Sequence, residues 1–493
     1  MIDGLAAAAD AVLMNPHALL IGLLACGLGI VLGALPGISS TMSLAVLLPF
    51  SFVMDVEIAM VFLMGVFYGS VYGGSISAIL LNIPGTPGSM VTQLDGYPLA
   101  RQRRAGDALT YALFASTVGG VLGLVALMMF APLLAKAALL FQSPESTALM
   151  VLGLTMLAYA SPGSTYLAVL GGIIGLLLGA VGLDTVTNQS RLDFGIPQLQ
   201  AGVNLIPVVI GLFGLAEVAR NLESPQGSVQ GVRDLGRVTV KWRGLWDMRF
   251  TALRSSIWGI VVGIIPAAGS AIAVSIAYAQ EKRLFQGKEK FGEGNPRGVV
   301  AAEGANNSCV GGALVPMMTV GIPGDSMTAV LMGALLIHGL RPGPALFEKN
   351  ADFVAIVYIT LAMAIVFTVI WAALALRLFA KLLGAPQRLL MVAITLLCVV
   401  GSYSVQNSYF DVLVMIAAGA VGYLMNKVGM ATAPVIFGLV LGPLLEENLR
   451  RSLIVYGSWS VFFERPISLA LLLLAGANLA FPMVGPWLRR RSA

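Results

Sequence analysis

Runs of apolar residues about as long as a bilayer is thick recur from one end of this 493-residue chain to the other. A hydrocarbon layer of ~30 Å takes roughly 20 residues of helix to cross. Such runs occupy 17–35, 107–134, 166–183, 352–376 and 410–424. Only 11% of the residues are charged and the mean hydropathy is +0.89, too little polar character to keep a chain of this size in water. Inside lipid the backbone must satisfy its own N–H and C=O groups. The expected fold class is therefore an all-α polytopic membrane protein with about 11–12 passes.

Cys26, Cys309 and Cys398 stand far apart in apolar surroundings, and the only histidines are His17 and His338. This set argues against a disulfide framework or a metal centre, and no cofactor is expected. No cleavable leader is expected either, since a leader begins with basic residues and the first one here is Arg101. The pI near 9.1 reflects loop charge rather than nucleic-acid binding.

Lys and Arg collect in cytoplasmic loops. Of 29 basic residues, 22 fall at Arg101, Arg103 and Arg104, in 220–254, in 282–297, at Arg377, Lys381 and Arg388, at Lys427, and in 489–491. The other seven, Lys136, Arg191, Arg341, Lys349, Arg450, Arg451 and Arg465, lie in the alternating loops. An N-terminus outside and a C-terminus inside satisfy this distribution. The one sizeable polar stretch, 221–250, reads as a cytoplasmic linker with Pro225, Gly227, Gly231 and Gly236. It separates a first membrane unit (1–220) from a second (251–450), and 451–493 adds a final helix and a basic C-terminus.

The two units match on unusual residues in the same order. Val31 to Pro36 matches Val261 to Pro266, Gly73-Gly74 matches Gly311-Gly312, and Ile83-Pro84-Gly85 matches Ile322-Pro323-Gly324. Asp95 to Pro98 has a looser counterpart in His338 to Pro342, and Pro207 to Gly211 matches Pro434 to Gly438. The first unit starts outside and ends inside, so the second runs inverted. Inverted repeats point to a transporter; a channel or passive pore is the alternative, and an intramembrane enzyme a distant third.

Proline and glycine break the apolar stretches in matched pairs. Broken backbone inside a membrane is tolerated where it lines a cavity or is buried in protein. The breaks are Pro36-Gly37-Ile38-Ser39-Ser40-Thr41 and Asn82-Ile83-Pro84-Gly85-Thr86-Pro87-Gly88-Ser89 in the first unit, and Pro266-Ala267-Ala268-Gly269-Ser270 and Gly321-Ile322-Pro323-Gly324-Asp325-Ser326 in the second. The first break of each unit lies in a segment that enters and leaves on one side, a re-entrant hairpin. Half-helices starting at such breaks present free N–H groups and a positive dipole end. With the neighbouring hydroxyls they form an expected mid-membrane pocket for an anion, and unwound carbonyls there could hold a cation.

Glu303, Asn306 and Asn307 share a helix face before Gly311-Gly312. A carboxylate in an apolar stretch costs about 2.5–3.5 kcal/mol on insertion scales, so a coupling-ion or proton role is open beside a structural hydrogen bond. Asp325 could bind a cation or cap a half-helix. Asp95, near Arg101, reads as a helix cap or surface pair, and His338 as an interfacial residue. Gly27, Gly29 and Gly33 have the wrong spacing for a dinucleotide loop. No GxSxG elbow, HExxH or phosphate loop occurs, and Gly324-Asp325 has no second aspartate at its depth to act as an aspartyl protease.

The stretches LPGISSTMSLAVLLPF (35–50), YGGSISAILLNIPGTPGSMVTQLDGYPLA (72–100), AAEGANNSCVGGALVPMMTVGIPGD (301–325) and HGLRPGP (338–344) closely resemble the large membrane subunit of the tripartite tricarboxylate transporters, the TctA type. The likeness runs along essentially the whole chain. Where that family usually reads APEAANN, this chain has Gly304 and lacks the proline, and Asp325 stands where a small residue is usual. The resemblance implies a secondary transporter in a bacterial inner membrane, with a periplasmic N-terminus. It implies a small membrane subunit (TctB type) and a periplasmic substrate-binding protein (TctC type) as partners. It further implies carboxylate uptake driven by sodium or protons, through an elevator-like motion.

The charge partition makes a testable statement about orientation. A reporter fused after Arg491 is expected to be active only in its cytoplasmic form; activity of a periplasm-only reporter at that position would reverse the topology.

Overall fold

The structure, a computed structural model, describes residues 2–160, 164–184, 187–223, 232, 242–382 and 387–491. Most of the expected linker, at 224–231 and 233–241, lies outside the described residues. The first half comprises α1 (Ile2–Leu13), α2 (Pro16–Ala34), α3 (Ser40–Leu47), α4 (Val56–Leu81), α5 (Thr92–Leu99), α6 (Ala105–Ala138), α7 (Ser143–Ala160), α8 (Thr165–Gly179) and α9 (Leu205–Glu223). The second comprises α10 (Arg249–Ile264), α11 (Gly269–Leu284), α12 (Pro296–Val320), α13 (Ser326–Ile337), α14 (Ala351–Leu382), α15 (Gln387–Ser404), α16 (Tyr409–Lys427), α17 (Ala433–Tyr456) and α18 (Pro466–Arg491). The only sheet among the described residues is a two-stranded ribbon pairing Gly182–Leu183 with Ser190–Arg191.

Among the described residues, six helical stretches are long and apolar enough to cross a membrane: α2, α4, Thr92–Ala138, α9, Ala351–Ala375 and α16. This is fewer than the passes read from sequence. Several apolar segments are cut into helices of 10–17 residues by the breaks, α13 among them. The 25-residue α12 is long enough, but Glu303, Asn306, Asn307 and its glycines dilute its hydropathy.

Glycines set the helix spacing. A methyl on Gly22 would meet Val61, on Gly29 the Val66 carbonyl, and on Gly33 the Ser70 carbonyl at 2.1 Å. Residue numbers rise together, so α2 and α4 run parallel at backbone contact, the small-residue packing that membranes favour. In the second half Gly259 lies against Ala305, and Gly263 against Cys309 and Gly312, so α10 and α12 are parallel too. A parallel pair requires the chain to return in between. Leu35–Ser39 turns it back through α3 and the 3-10 turn Leu48–Val53; residues 265–268 turn it back through α11.

The second breaks fold back as well. α4 ends with Asn82 in the left-handed region (φ 58°) and the Ile83 N–H on the Ser77 carbonyl; α12 ends with Gly321 (φ 71°) and the Ile322 N–H on the Pro316 carbonyl. Each helix thus ends on a left-handed residue with its last N–H groups turned back on one carbonyl, and Ile-Pro-Gly carries the chain away. The chain then dips inward: Gly85 lies against Gly33 and Gly74, and Gly324 against Ala313. Gly96 returns α5 to the level of Ile79. In the first half the tips of two hairpins thus meet at Gly33, Gly74 and Gly85.

The halves interlock reciprocally. α6 packs on α12 while α14 packs on α4; α8 packs on α17 while α16 packs on α9; the Pro87–Ser89 turn meets α11 while α13 meets α3. Three levels fix the direction of α4 against α12. Ile79 lies against Gly96, next to Asp95, which abuts Gly298; Ser75 borders Glu303; and Tyr68 donates to the Ser116 carbonyl at 2.7 Å, beside Asn307. Numbers fall along α4 as they rise along α12, so these matched helices run antiparallel.

Asp95 is neither a surface pair nor a helix cap. Its carboxylate is fully buried and accepts from Tyr278 Oη (2.8 Å) and from the N–H groups of Gly292 (2.7 Å), Gly294 (3.0 Å) and Asn295 (2.8 Å). It therefore pins α5 of one half to the α11–α12 loop of the other, at the positive end of α12. Its partners stand 183–200 residues downstream, so no local pattern around Arg101 reveals them.

Two outcomes follow from this packing. Gly33→Ala should cost about 1–3 kcal/mol or more in a thermal melt, because the methyl meets backbone. Gly172→Ala, with open space at its Cβ, should be neutral. Asp95→Ala strips the acceptor from three N–H groups and a phenol, and should cost roughly 3 kcal/mol with faster hydrogen exchange at 292–295; unchanged exchange there would remove the pin.

Candidate functional site

Glu303, Asn306 and Asn307 of α12 are 0%, 2% and 0% exposed. The Glu303 carboxylate is held by groups from three helices. Thr92 of α5 donates to Oε1; Ser116 of α6 donates to Oε2 at 3.3 Å, and so does the Asn307 amide at 3.3 Å. That amide also donates to Ser116 Oγ at 2.8 Å and to the Glu303 carbonyl at 3.1 Å. Ser75 of α4 and Asn306 also lie against the carboxylate as hydrogen-bonding side chains. Asn307 Oδ1 is buried with no partner. Among the described residues no Lys, Arg or His pairs with Glu303 within 4 Å.

The first-half tip adjoins this cluster. A methyl on Gly88 would sit 1.9 Å from Asn306 Oδ1 and 2.7 Å from Ser270 Oγ, so backbone and both side chains crowd one point. Thr86, packed on Gly74, and Ser89 close a capping box there: the Ser89 N–H donates to Thr86 Oγ1 and the Thr86 N–H to Ser89 Oγ, each at 3.1 Å. The Gly269 backbone (φ 66°) precedes Ser270, with open space where its side chain would be.

The second-half tip differs. Asp325 caps α13: its carboxylate accepts the Thr328 N–H at 2.8 Å and Thr328 Oγ1 at 2.8 Å. Of the two roles open from sequence, capping is the one its contacts show. A carboxylate thus already fills the N–H end that a bound anion would use, whereas the first half has neutral Thr86 in the matching place. Asp325 lies within electrostatic reach of Cys309, one turn along α12 from Asn306.

The remaining expected residues are spread out. Asn82 is exposed at the α4 stop, and Gly321 lies against Pro342 at the α12 stop. Gly321 is 18 residues along α12 from Glu303, about 27 Å, which removes its carbonyl from that cluster. Pro84 and Pro323 join the stops to the tips. Pro36 is half-buried; Gly37 (φ 85°) accepts a bond from Asn221 Nδ2 at 2.8 Å. Ser39 caps α3 by accepting the Met42 N–H, Ser40 is buried with an unpartnered hydroxyl, and Thr41 and Ser326 are half-buried. Sequence reasoning missed Ser75, Thr92 and Ser116. Only Thr92, three residues past a break, carried any local signal; Ser116 is a lone hydroxyl in an apolar helix.

Comparison with known proteins was made on this basis. The family model described as "Tripartite tricarboxylate transporter TctA family" matches residues 19–437. An Agrobacterium vitis protein, "Uncharacterized 52.8 kDa protein in TAR-I ttuC' 3'region", is 38% identical over 449 residues, covering 90% of this chain and 89% of that one. A second from the same organism, "Uncharacterized protein in TAR-II ttuC' 3'region", is 35% identical over 215 residues, covering 43% of this chain and 89% of its own. No solved structure matches. With the family model spanning nearly the whole chain, the protein belongs to the tripartite tricarboxylate transporter TctA family.

Proposed function

We propose that this chain is the transport-competent subunit of a binding-protein-dependent secondary transporter, importing a di- or tricarboxylate together with a coupling ion. Family membership makes it the large subunit of a tripartite tricarboxylate transporter. A small membrane subunit of the TctB type and a periplasmic binding protein of the TctC type are its proposed partners, in a bacterial inner membrane with the N-terminus periplasmic.

The observation that carries the site is the meeting of the Gly88 backbone with Asn306 Oδ1 and Ser270 Oγ, where the tip of the first half reaches α11 and α12 of the second. A substrate carboxylate seated beside that point would receive the Ser270 hydroxyl and the dipole of the turn leading into α5. Asp325 makes the matching seat in the second half a poor one for an anion, so the pocket is one-sided.

The antiparallel course of α4 and α12 and the reciprocal packing of the halves support an inverted-repeat reading. Hairpin tips meeting from opposite sides give two barriers around one site. An elevator-like movement would carry that site, with its hairpins, past the rest of the fold.

Uptake into reconstituted vesicles, supplied with the binding protein and a panel of labelled di- and tricarboxylates, tests this. Gly88→Ala should assemble normally but lose at least about tenfold in uptake, since its methyl displaces Asn306. Wild-type uptake in that variant would place the substrate elsewhere. Failure of every carboxylate in the wild type would end the reading.

A further inference from the structure

The HGLRPGP stretch (338–344) takes no part in the Glu303 cluster, and the fold uses it elsewhere. The Gly343 N–H donates to the Met318 carbonyl at 2.9 Å and Pro342 lies against Gly321, which fastens the stretch to the end of α12. Its last residue opens the short helix Pro344–Lys349, which packs on α6 and α14. Between these three elements and α1 lies a cavity of about 410 Å³, a size that suits a small ligand.

The walls of this cavity are apolar, with Leu5, Pro132, Phe347 and Val354 among them. Its rim carries Lys136 in the last turn of α6, Glu348, and Asp352 in the first turn of α14, all three exposed. Among the described residues none of the three makes an ion pair within 4 Å. Tyr358 lines the cavity six residues along α14 from Asp352, about 9 Å deeper. It is 3% exposed, and its hydroxyl has no hydrogen-bond partner. A buried tyrosine hydroxyl normally finds one. Lys136 stands 20 residues past Ser116 on α6, about 30 Å, so this cavity is separate from the Glu303 cluster.

We propose that the cavity binds one phospholipid with a primary-amine headgroup, of the phosphatidylethanolamine type. The rim holds both signs of charge, so it complements a zwitterion rather than an anion. The ammonium donates to Asp352 and Glu348, and Lys136 meets the phosphate. Helix α6 ends and α14 begins at this rim, which sets it at headgroup depth. A glycerol ester carbonyl lies below the phosphate, where it accepts from Tyr358 Oη, and the apolar walls take the start of an acyl chain. A soluble phosphoamine would fill the rim alone, and water would reach the hydroxyl but gain nothing from the walls. The bound lipid touches α1 and α6 of the first half, and α14 with the Pro344–Lys349 helix of the second. Through Gly343 and Met318 it also braces the end of α12.

The test uses the full chain in detergent, stripped of lipid, with thermal unfolding as readout. Palmitoyl-oleoyl phosphatidylethanolamine, phosphatidylcholine or phosphatidylglycerol is added in mixed micelles. Phosphatidylethanolamine should raise the midpoint in a saturable way, as any ligand of the native state does. Phosphatidylcholine has no ammonium N–H to donate and phosphatidylglycerol has no ammonium, so each should need about tenfold more for the same shift. Tyr358→Phe breaks no hydrogen bond, yet it should raise the half-saturating fraction of phosphatidylethanolamine by about threefold or more. Asp352→Asn should narrow the gap between phosphatidylethanolamine and phosphatidylglycerol. Equal responses to the three lipids would mean bulk solvation only, and the proposal falls. Wild-type saturation in Tyr358→Phe overturns it too. A full response to soluble phosphoethanolamine without lipid would assign the rim to a free phosphoamine and end the lipid reading.

Discussion

Backbone approach at glycine is the interaction on which the architecture depends. Apolar side chains gain little by leaving lipid for one another, so helices in a membrane associate through close packing and hydrogen bonds. Here Gly29 and Gly33 of α2 face Gly65, Gly69 and Gly73 of α4, with carbonyls where larger side chains would have to be. Gly119, Gly123 and Gly311 do the same between α6 and α12, and Gly175 and Gly438 between α8 and α17. Once α2 and α4 are locked parallel, the chain between them has to return, and the re-entrant course of the first break is a consequence. Gly85 then fits only because Gly33 and Gly74 leave room for its backbone. A non-helical tip can persist at that depth because protein, not lipid, surrounds it.

What the sequence made legible was whatever is encoded locally. Asn82 or Gly321 followed by Ile-Pro-Gly is a helix stop and turn read within six residues, and both stops lie where the motif puts them. Apolar length gave the fold class for the same reason. The pass count was harder, because a helix such as α12 buries its polar face in protein and need not be apolar to lie in the membrane. Asp95 was misread because its four donors come from residues 278–295. Glu303 and the asparagines stood out as polar residues in an apolar run, but Ser75, Thr92 and Ser116 did not. A hydroxyl in a membrane helix ordinarily bonds its own backbone, as Thr110 and Thr117 do on the same α6. Nothing local marks the one that turns away to a carboxylate.

The two halves share a skeleton but not a chemistry. Glu303 and Asn306 lie eight and five residues before the Gly311 of their motif, and the matching first-half positions before Gly73 are Gly65 and Tyr68. Gly65 serves packing against α2, and Tyr68 crosses to the Ser116 carbonyl. The tips diverge in the same sense, Thr86 being neutral where Asp325 is acidic. The polar cluster is thus built on α12 of the second half, while the matching face of α4 serves packing.

That division bears on how a carrier can move without leaking. A pocket made wholly within one half would travel as a unit, and its contents would be indifferent to the position of the other half. Here the carboxylate of α12 is gripped by α5 and α6, and Ser270 at the start of α11 meets the Gly88 turn, so every part of the polar cluster has ligands from both halves. Removing one set leaves Glu303 buried without its donors, which costs several kcal/mol for an unpaired charge. The cluster therefore holds α4 to α6 and α10 to α12 together across the halves. Away from the cluster, α8 packs on α17 and α9 on α16 across the halves through their own glycine contacts at Gly175, Gly211, Gly419 and Gly438.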